Sequence, residues 1–249
     1  MKNTPVSAPF LICILFLIGD LVGYSQIPTG IYTDTIESNG KKSVHQVKVN
    51  DDYFIYNEYE IAPNNFIKTV GGFIQIDNSA SNSLLVVLLE FNSDYEKDSV
   101  RQLSIPFSME GEKLKMSWFQ ELTLTPNNPS TQDLDGGWLF ATRGPDTGQD
   151  RRGEENTRKT LKLLMDNTFQ WIAYDTESFR FSGTGGGSYS AENGIYKEYI
   201  EFFSKDNSRV GAQLEFNYKL EGDDWQHTGK NSKDEPMYEI WSKRDMIGM

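Results

Sequence analysis

The chain has 249 residues, with 36 acidic against 24 basic side chains and a net charge of −12 at pH 7. Such a surface repels phosphate backbones, which need a basic footprint, so nucleic acid is excluded as a partner class; the acidity itself serves solubility. One cysteine, Cys13, and two histidines, His45 and His227, leave no material for a disulfide or a histidine-rich metal site.

Read from the start, residues 1–25 form a secretory signal peptide. Lys2 gives a positive beginning, Phe10 to Ile18 is an unbroken apolar run, and Gly23-Tyr24-Ser25 puts small residues at a plausible cut. The run is too short for a membrane span, which needs about 20 apolar residues. Ile12 before Cys13 is not the small residue that a lipoprotein signal needs. The mature chain is therefore expected to begin near Gln26, without a membrane span, and to be secreted or periplasmic.

Beyond the leader the chain is patterned as strands. Ser83 to Phe91 is continuously apolar, as in a strand covered on both faces. Leu103 to Met109 and Leu214 to Leu220 alternate apolar and polar residues, which places one set on a buried face and the other in water. Pro106 cannot donate a ladder hydrogen bond, so its strand is expected to be an edge or to bulge there. Turn signals at Asn39-Gly40, Glu110-Gly111 and Glu221-Gly222 separate short runs, as in an antiparallel meander. Only Glu154 to Met165 has any helical character. Thr125 to Gln132, with two prolines and polar neighbours, reads as an extended, solvated linker. Arg143 to Arg158 is charged and aperiodic, hence a long loop.

The chain also contains itself twice. Asp51, Phe54, Tyr59, Phe66, Thr69, Gly71 and Gly72 recur as Asp166, Phe169, Tyr174, Phe181, Thr184, Gly186 and Gly187, at a constant offset of 115. Glu90-Phe91, Gln102-Leu103, Phe107 and Glu110-Gly111 recur as Glu201-Phe202, Gln213-Leu214, Tyr218 and Glu221-Gly222, at an offset of 111. The period is that of a small domain, not of a solenoid repeat. Residues 26–125 and 134–249 are thus expected to be two separately folded domains, with 126–133 between them.

Each copy opens on Gly-x-aromatic, Gly30-Ile31-Tyr32 and Gly136-Gly137-Trp138, and the second ends on Glu239-Ile240-Trp241-Ser242-Lys243-Arg244. This resembles the lipocalin pattern. More specifically, Phe169-Gln170-Trp171, Thr184 to Tyr189, Tyr196 to Glu201, Gly211, Gly222 to Gly229 and Glu239 to Trp241 are similar to a lipocalin-like domain family of secreted Bacteroidetes proteins. The resemblance implies an all-β protein of two tandem lipocalin-like antiparallel meander β-barrels. It further implies that Trp138 closes the floor of the second barrel beneath a cation, Lys243 or Arg244. In the first copy Tyr32 replaces the tryptophan and Leu122-Thr123-Leu124 offers no cation, so the resemblance does not account for its closure. It lends no reaction.

Comparing the copies gives the functional signal. Leu85, Val87, Leu89 and Phe91 correspond to Tyr196, Glu198, Ile200 and Phe202, and Leu114 and Met116 to Trp225 and His227. The second barrel therefore places an acid, an imidazole and aromatics where the first is plain core. A mostly apolar concavity with few polar groups suits a small ligand. Glu198, His227, Trp225, Tyr196, Trp171 and Tyr189 are the expected ligand-binding residues, and the expected ligand is small and apolar or amphipathic. The same residues are also consistent with a buried structural network in which Glu198 and His227 satisfy each other or bond Tyr196. Two further readings are a cell-envelope module that binds protein or glycan, and a barrel enzyme using Glu198 and His227 as an acid–base pair. No catalytic set, cofactor or metal is expected. Gly185 to Gly187 lacks the Lys-Ser/Thr of a phosphate loop, and Asp133 to Gly136 lacks the later Glu of a calcium loop. Oligomeric state is not legible.

Overall fold

The computed structural model describes residues 26–77, 83–231 and 233–247; the leader and Cys13 lie outside them. The first barrel is built from β1 (Gly30–Ser38), β2 (Lys41–Asn50), β3 (Tyr53–Ile61), β4 (Asn64–Asp77), β5 (Leu84–Asn92), β6 (Gln102–Glu110), β7 (Lys113–Ser117) and β8 (Glu121–Pro126). The second comprises β9 (Gly136–Arg143), β10 (Arg158–Met165), β11 (Thr168–Asp175), β12 (Phe181–Glu192), β13 (Ile195–Phe203), β14 (Gln213–Glu221), β15 (Asp224–Lys230) and β16 (Pro236–Arg244). Each set of eight closes into an antiparallel barrel in sequence order, so the protein is two tandem all-β meanders. Closure abolishes the sheet edges. The Arg143–Arg158 span is a loop between β9 and β10, and most of the segment with helical character, Arg158 to Met165, is strand β10 instead.

Period-two alternation fills the barrels. Val47, Val49, Leu85, Val87, Leu103, Leu114 and Leu124 point into the first, and Trp138, Leu164, Tyr196, Phe216, Trp225 and Trp241 into the second. Pro106 does not make β6 an edge. It pairs with Leu84 on β5, and the pairing with β7 begins at the next residue, Phe107, so its missing N–H falls where the ladder changes partner. The paired glycines are bulges: the register shifts between Gly71 and Gly72 against β5, and between Gly186 and Gly187 against β13. A Cβ on Gly72 would stand 1.9 Å from the Leu88 carbonyl oxygen, and one on Gly187 2.1 Å from that of Tyr199, so neither position admits a side chain.

The first barrel closes without a cation. Its β1 meets β8 through Tyr32–Pro126 and Thr33–Thr125, and the Tyr32 hydroxyl donates to the Pro28 carbonyl at 2.8 Å. In the second barrel the Trp138 indole N–H donates to the Leu134 carbonyl at 2.8 Å, also four residues back.

The barrels do not hang on a free tether. β8 runs through Pro126, one residue into the expected linker, and the following segment is anchored at Ser130 and Gln132 while Asn128, Pro129, Thr131 and Asp133 stay exposed. The Ser130 N–H donates to Asp166 Oδ1 (3.1 Å), and Asp166 Oδ2 accepts from the Ile31 N–H (3.2 Å), which ties the two barrels through one carboxylate. The outer faces of the barrels also pack on each other. Tyr53, Ile55 and Phe91 of the first share a buried cluster with Leu139, Leu161, Leu163, Ile172 and Tyr174 of the second. β5 is accordingly covered on both faces only in part, since Leu88 stays 46 % exposed.

These contacts are reciprocal. Tyr174 donates to Glu90 Oε2 at 3.0 Å and its ring lies 5.1 Å from that of Phe91. Tyr59 donates to Glu201 Oε2 at 3.1 Å and its ring lies 4.8 Å from that of Phe202. All four pairs are related by the sequence duplication. Between them the Gln170 amide donates to both equivalent threonines, Thr69 Oγ1 at 3.1 Å and Thr184 Oγ1 at 3.2 Å. Self-complementary contact of this kind is what a two-fold interface produces, here within one chain.

Candidate functional site

The interior of the second barrel carries a polar layer. Lys162 on β10 is buried, with Nζ 3.0 Å from Glu198 Oε1 on β13. The Tyr196 hydroxyl donates to the same oxygen at 2.8 Å. Four rings surround the ammonium: those of Tyr196, Trp225 and Trp241 at 5.2, 5.1 and 5.0 Å, and that of Phe169 at 6.0 Å. A buried ion pair needs this much local compensation, because each charge has lost its water.

His227 on β15 is treated differently. It is buried against Phe216, Trp225 and Tyr196, with ring separations of 4.4, 5.0 and 5.7 Å. Among the described residues neither of its nitrogens has a hydrogen-bond partner, and nor does the Trp225 indole N–H. Nδ1 stands 3.7 Å from Glu239 Oε2, near enough for attraction between charges but too long for a hydrogen bond. Burial holds the imidazole below its usual value; Lys162 adds to this, while Glu239 and Glu198 oppose it. Burial alone would raise the Glu239 carboxyl, but His227, Lys162 and the Trp241 indole N–H, at 3.2 Å, hold it below the usual range. The other histidine shows the contrast: His45 in the first barrel has Nδ1 2.8 Å from the Tyr56 hydroxyl.

The two barrels share a cross-strand register, so their inward positions can be matched. Val47–Tyr56 matches Lys162–Trp171, Val87–Leu103 matches Glu198–Leu214, and Met116–Leu122 matches His227–Glu239. Val47, Val87, Met116 and Leu122 all lie in the apolar core of the first barrel. The second barrel has exchanged them for Lys162, Glu198, His227 and Glu239, and Leu85, Leu114 and Leu124 for Tyr196, Trp225 and Trp241.

No protein-family model matches this chain, and no curated protein matches it. The site is therefore read from its own residues. Among those described, no group of three or more His, Cys, Asp or Glu is placed to hold a metal ion, and no helix is long and apolar enough to cross a membrane.

Of the expected residues, Tyr196, Glu198, Trp225 and His227 come together in the interior. Glu198 bonds Lys162 and, as expected, Tyr196; the expected Glu198–His227 bond is corrected, since His227 has Glu239 as its near acid, at 3.7 Å and without a hydrogen bond. Tyr189 faces inward, 6.0 Å from the Tyr196 ring, but its hydroxyl is taken by Asp135 beside the barrel floor. Trp171 turns to Phe203, 5.5 Å away, and is only half-buried. Trp138 is buried under Lys243, whose Nζ lies 4.7 Å from the indole. Arg244 takes no part in that closure. Successive residues of a strand face opposite ways, and Arg244 turns outward to Glu90 of the first barrel. Lys162 and Glu239 do not stand out in the sequence as site residues.

The loop between β9 and β10 packs back on β9 through Arg152. The Arg152 N–H donates to the Ala141 carbonyl at 2.8 Å, and its guanidinium lies 4.4 Å over the Phe140 ring. Burial and the nearby Arg158 and Arg143 lower its pKa.

Proposed function

We propose that the protein is an exported, non-catalytic binding protein whose second barrel holds a small amphipathic ligand. The observation that carries this reading is the exchange of four apolar core residues for Lys162, Glu198, His227 and Glu239 within one duplicated fold. The first barrel closes on Val47, Val87, Met116 and Leu122, so barrel formation does not need the polar set. Burying unpaired polar atoms costs about 1–3 kcal/mol each, and His227 and Trp225 between them carry three. A ligand that pairs with these nitrogens offsets that cost. Its apolar part fits against Phe140, Trp171, Phe203 and Met237, which are only partly buried around the same core. Export rests on the apolar leader at Phe10 to Ile18.

A second reading is favoured by the Lys162–Glu198–Tyr196 group, which is satisfied within itself: the layer would then be structural. Native mass spectrometry of the wild-type chain against a variant carrying the first barrel's four residues separates the two, since only a binding site loses a retained mass.

A further inference from the structure

A cleft of about 590 Å3 lies between the two barrels. Ile74 and Leu88 line it on one side, Leu139 and Ile247 on the other, with Glu154 and Asp245 against Lys243 and Arg244 supplying charge. Its size is that of a small-molecule site, roughly 300–1,000 Å3, and junctions between domains are where such sites concentrate. Leu88 and Ile247 are 46 % and 65 % exposed, so both walls present apolar surface that the described residues do not cover.

The polar end is incomplete in a specific way. A guanidinium offers two forks, an end fork (Nη1 with Nη2) and a side fork (Nε with Nη2). Glu90 fills the end fork of Arg244, accepting from Nη1 at Oε2 and from Nη2 at Oε1, each at 2.9 Å. On the side fork only Nη2 is used, donating to Glu154 Oε1 at 2.7 Å. Nε is buried and has no partner among the described residues. Glu154 Oε1 also accepts from Lys159 Nζ at 2.6 Å. Lys159 and Arg244 are both buried, and Glu90 is their one buried counter-charge here. Glu154 supplies the second from the β9–β10 loop, with its side chain 52 % exposed. Two buried cations against one buried anion leave room for one carboxylate, and Glu154 makes half of the contact that such a group can make.

We propose that this cleft binds an alkyl monocarboxylate, whose chain lies between Leu88 and Ile247 and whose carboxylate takes the Nε/Nη2 side fork of Arg244 in place of Glu154. The site is distinct from the interior of the second barrel and does not rest on that reading. Glu154 acts as a competitor that yields to the ligand. Because it sits on an exposed loop, its release leaves both barrels intact.

Isothermal titration calorimetry of the full chain with dodecanoate tests this. Saturable binding is expected, about tenfold tighter in Glu154→Gln, where the competing charge is gone, and about tenfold weaker in Leu88→Asp, which removes a wall and adds a repelling charge. Dodecanol, lacking the carboxylate, should gain nothing from Glu154→Gln. Absence of saturable dodecanoate binding overturns the proposal. So does binding that responds to neither substitution, because the ligand then sits elsewhere.

Discussion

Tyr174 of the second barrel donates its hydroxyl to Glu90 of the first at 3.0 Å, and the duplicated pair, Tyr59 and Glu201, makes the same bond in the opposite direction at 3.1 Å. The two carboxylates nevertheless carry unequal loads. Glu90 also accepts from Tyr53 at 2.6 Å and takes both terminal nitrogens of Arg244. Burial works against its ionised form, but Arg244, Tyr53 and Lys159 hold its pKa below the ordinary value. Glu201 has no equivalent arginine, since Arg244 arises from the end of the second copy alone.

Glu90→Ala should therefore destabilise by about 3–5 kcal/mol, because it leaves the buried Arg244 guanidinium with the half-exposed Glu154 in place of its two-pronged partner. Glu201→Ala should cost about 1 kcal/mol, the worth of one hydrogen bond. Urea unfolding of the two variants checks the ranking; equal losses would mean that the arginine gives Glu90 no special weight.

A fragment beginning at Gln132 should fold, because β9 to β16 close on themselves. It should also associate, since Leu139, Leu161, Leu163, Ile172 and Tyr174 lose their cover. Circular dichroism and sedimentation velocity decide this. An unfolded fragment contradicts separate folding, and a folded monomer contradicts the importance of the covered face.

Much of this architecture is legible in the sequence, and the limits have physical reasons. The offsets of 115 and 111 hold because β3 to β6 and β11 to β14 share one register, bulges included. Tyr59, Tyr174, Glu90 and Glu201 already stand out as duplicated, but their bonding across the interface is a long-range fact that no periodicity encodes. Lys162 is within reach of the sequence: the offset of 115 matches it to Val47, yet a lysine among Leu161, Leu163 and Leu164 reads as the exposed phase of a strand. Glu239 is better hidden. The turn before β16 is longer than its counterpart before β8, so the match to Leu122 needs a different offset. Lys243 and Arg244 are adjacent cations, and only the phase of β16 decides which one covers Trp138.

Lys48 makes the interface sensitive to pH. It is fully buried, bonded to Gln46 and to Gln170 Oε1, the latter at 2.9 Å. Burial lowers its pKa from 10.5 to about 7, with Glu201 opposing. Between those values the unfolded chain holds a proton that the folded one lacks. Stability thus rises with pH from about 7 toward 10.5 and is lost as pH falls back, by at most on the order of 5 kcal/mol. Lys48→Leu, which copies the equivalent Leu163, should flatten the rise in urea midpoint between about pH 7.5 and 9.5. An unchanged slope would show that Lys48 is not its source.

Glu198→Val should destabilise the second barrel by about 3–5 kcal/mol, because buried Lys162 and the Tyr196 hydroxyl both lose their hydrogen-bonded acceptor. The fourfold change Lys162→Val, Glu198→Val, His227→Met and Glu239→Leu should instead be neutral, or stabilising by up to about 4 kcal/mol, since it removes the buried ion pair together with the unpaired imidazole and its neighbouring acid. Thermal melts compare them directly. A fourfold variant less stable than the single one would make the polar layer a structural requirement.

The most direct measurement is native mass spectrometry of the full chain purified from its own host, beside the fourfold variant prepared in the same way. A binding role for the second barrel predicts a discrete extra mass on the wild-type chain and none on the variant. A bare wild-type chain, or an extra mass that the variant retains, would contradict it.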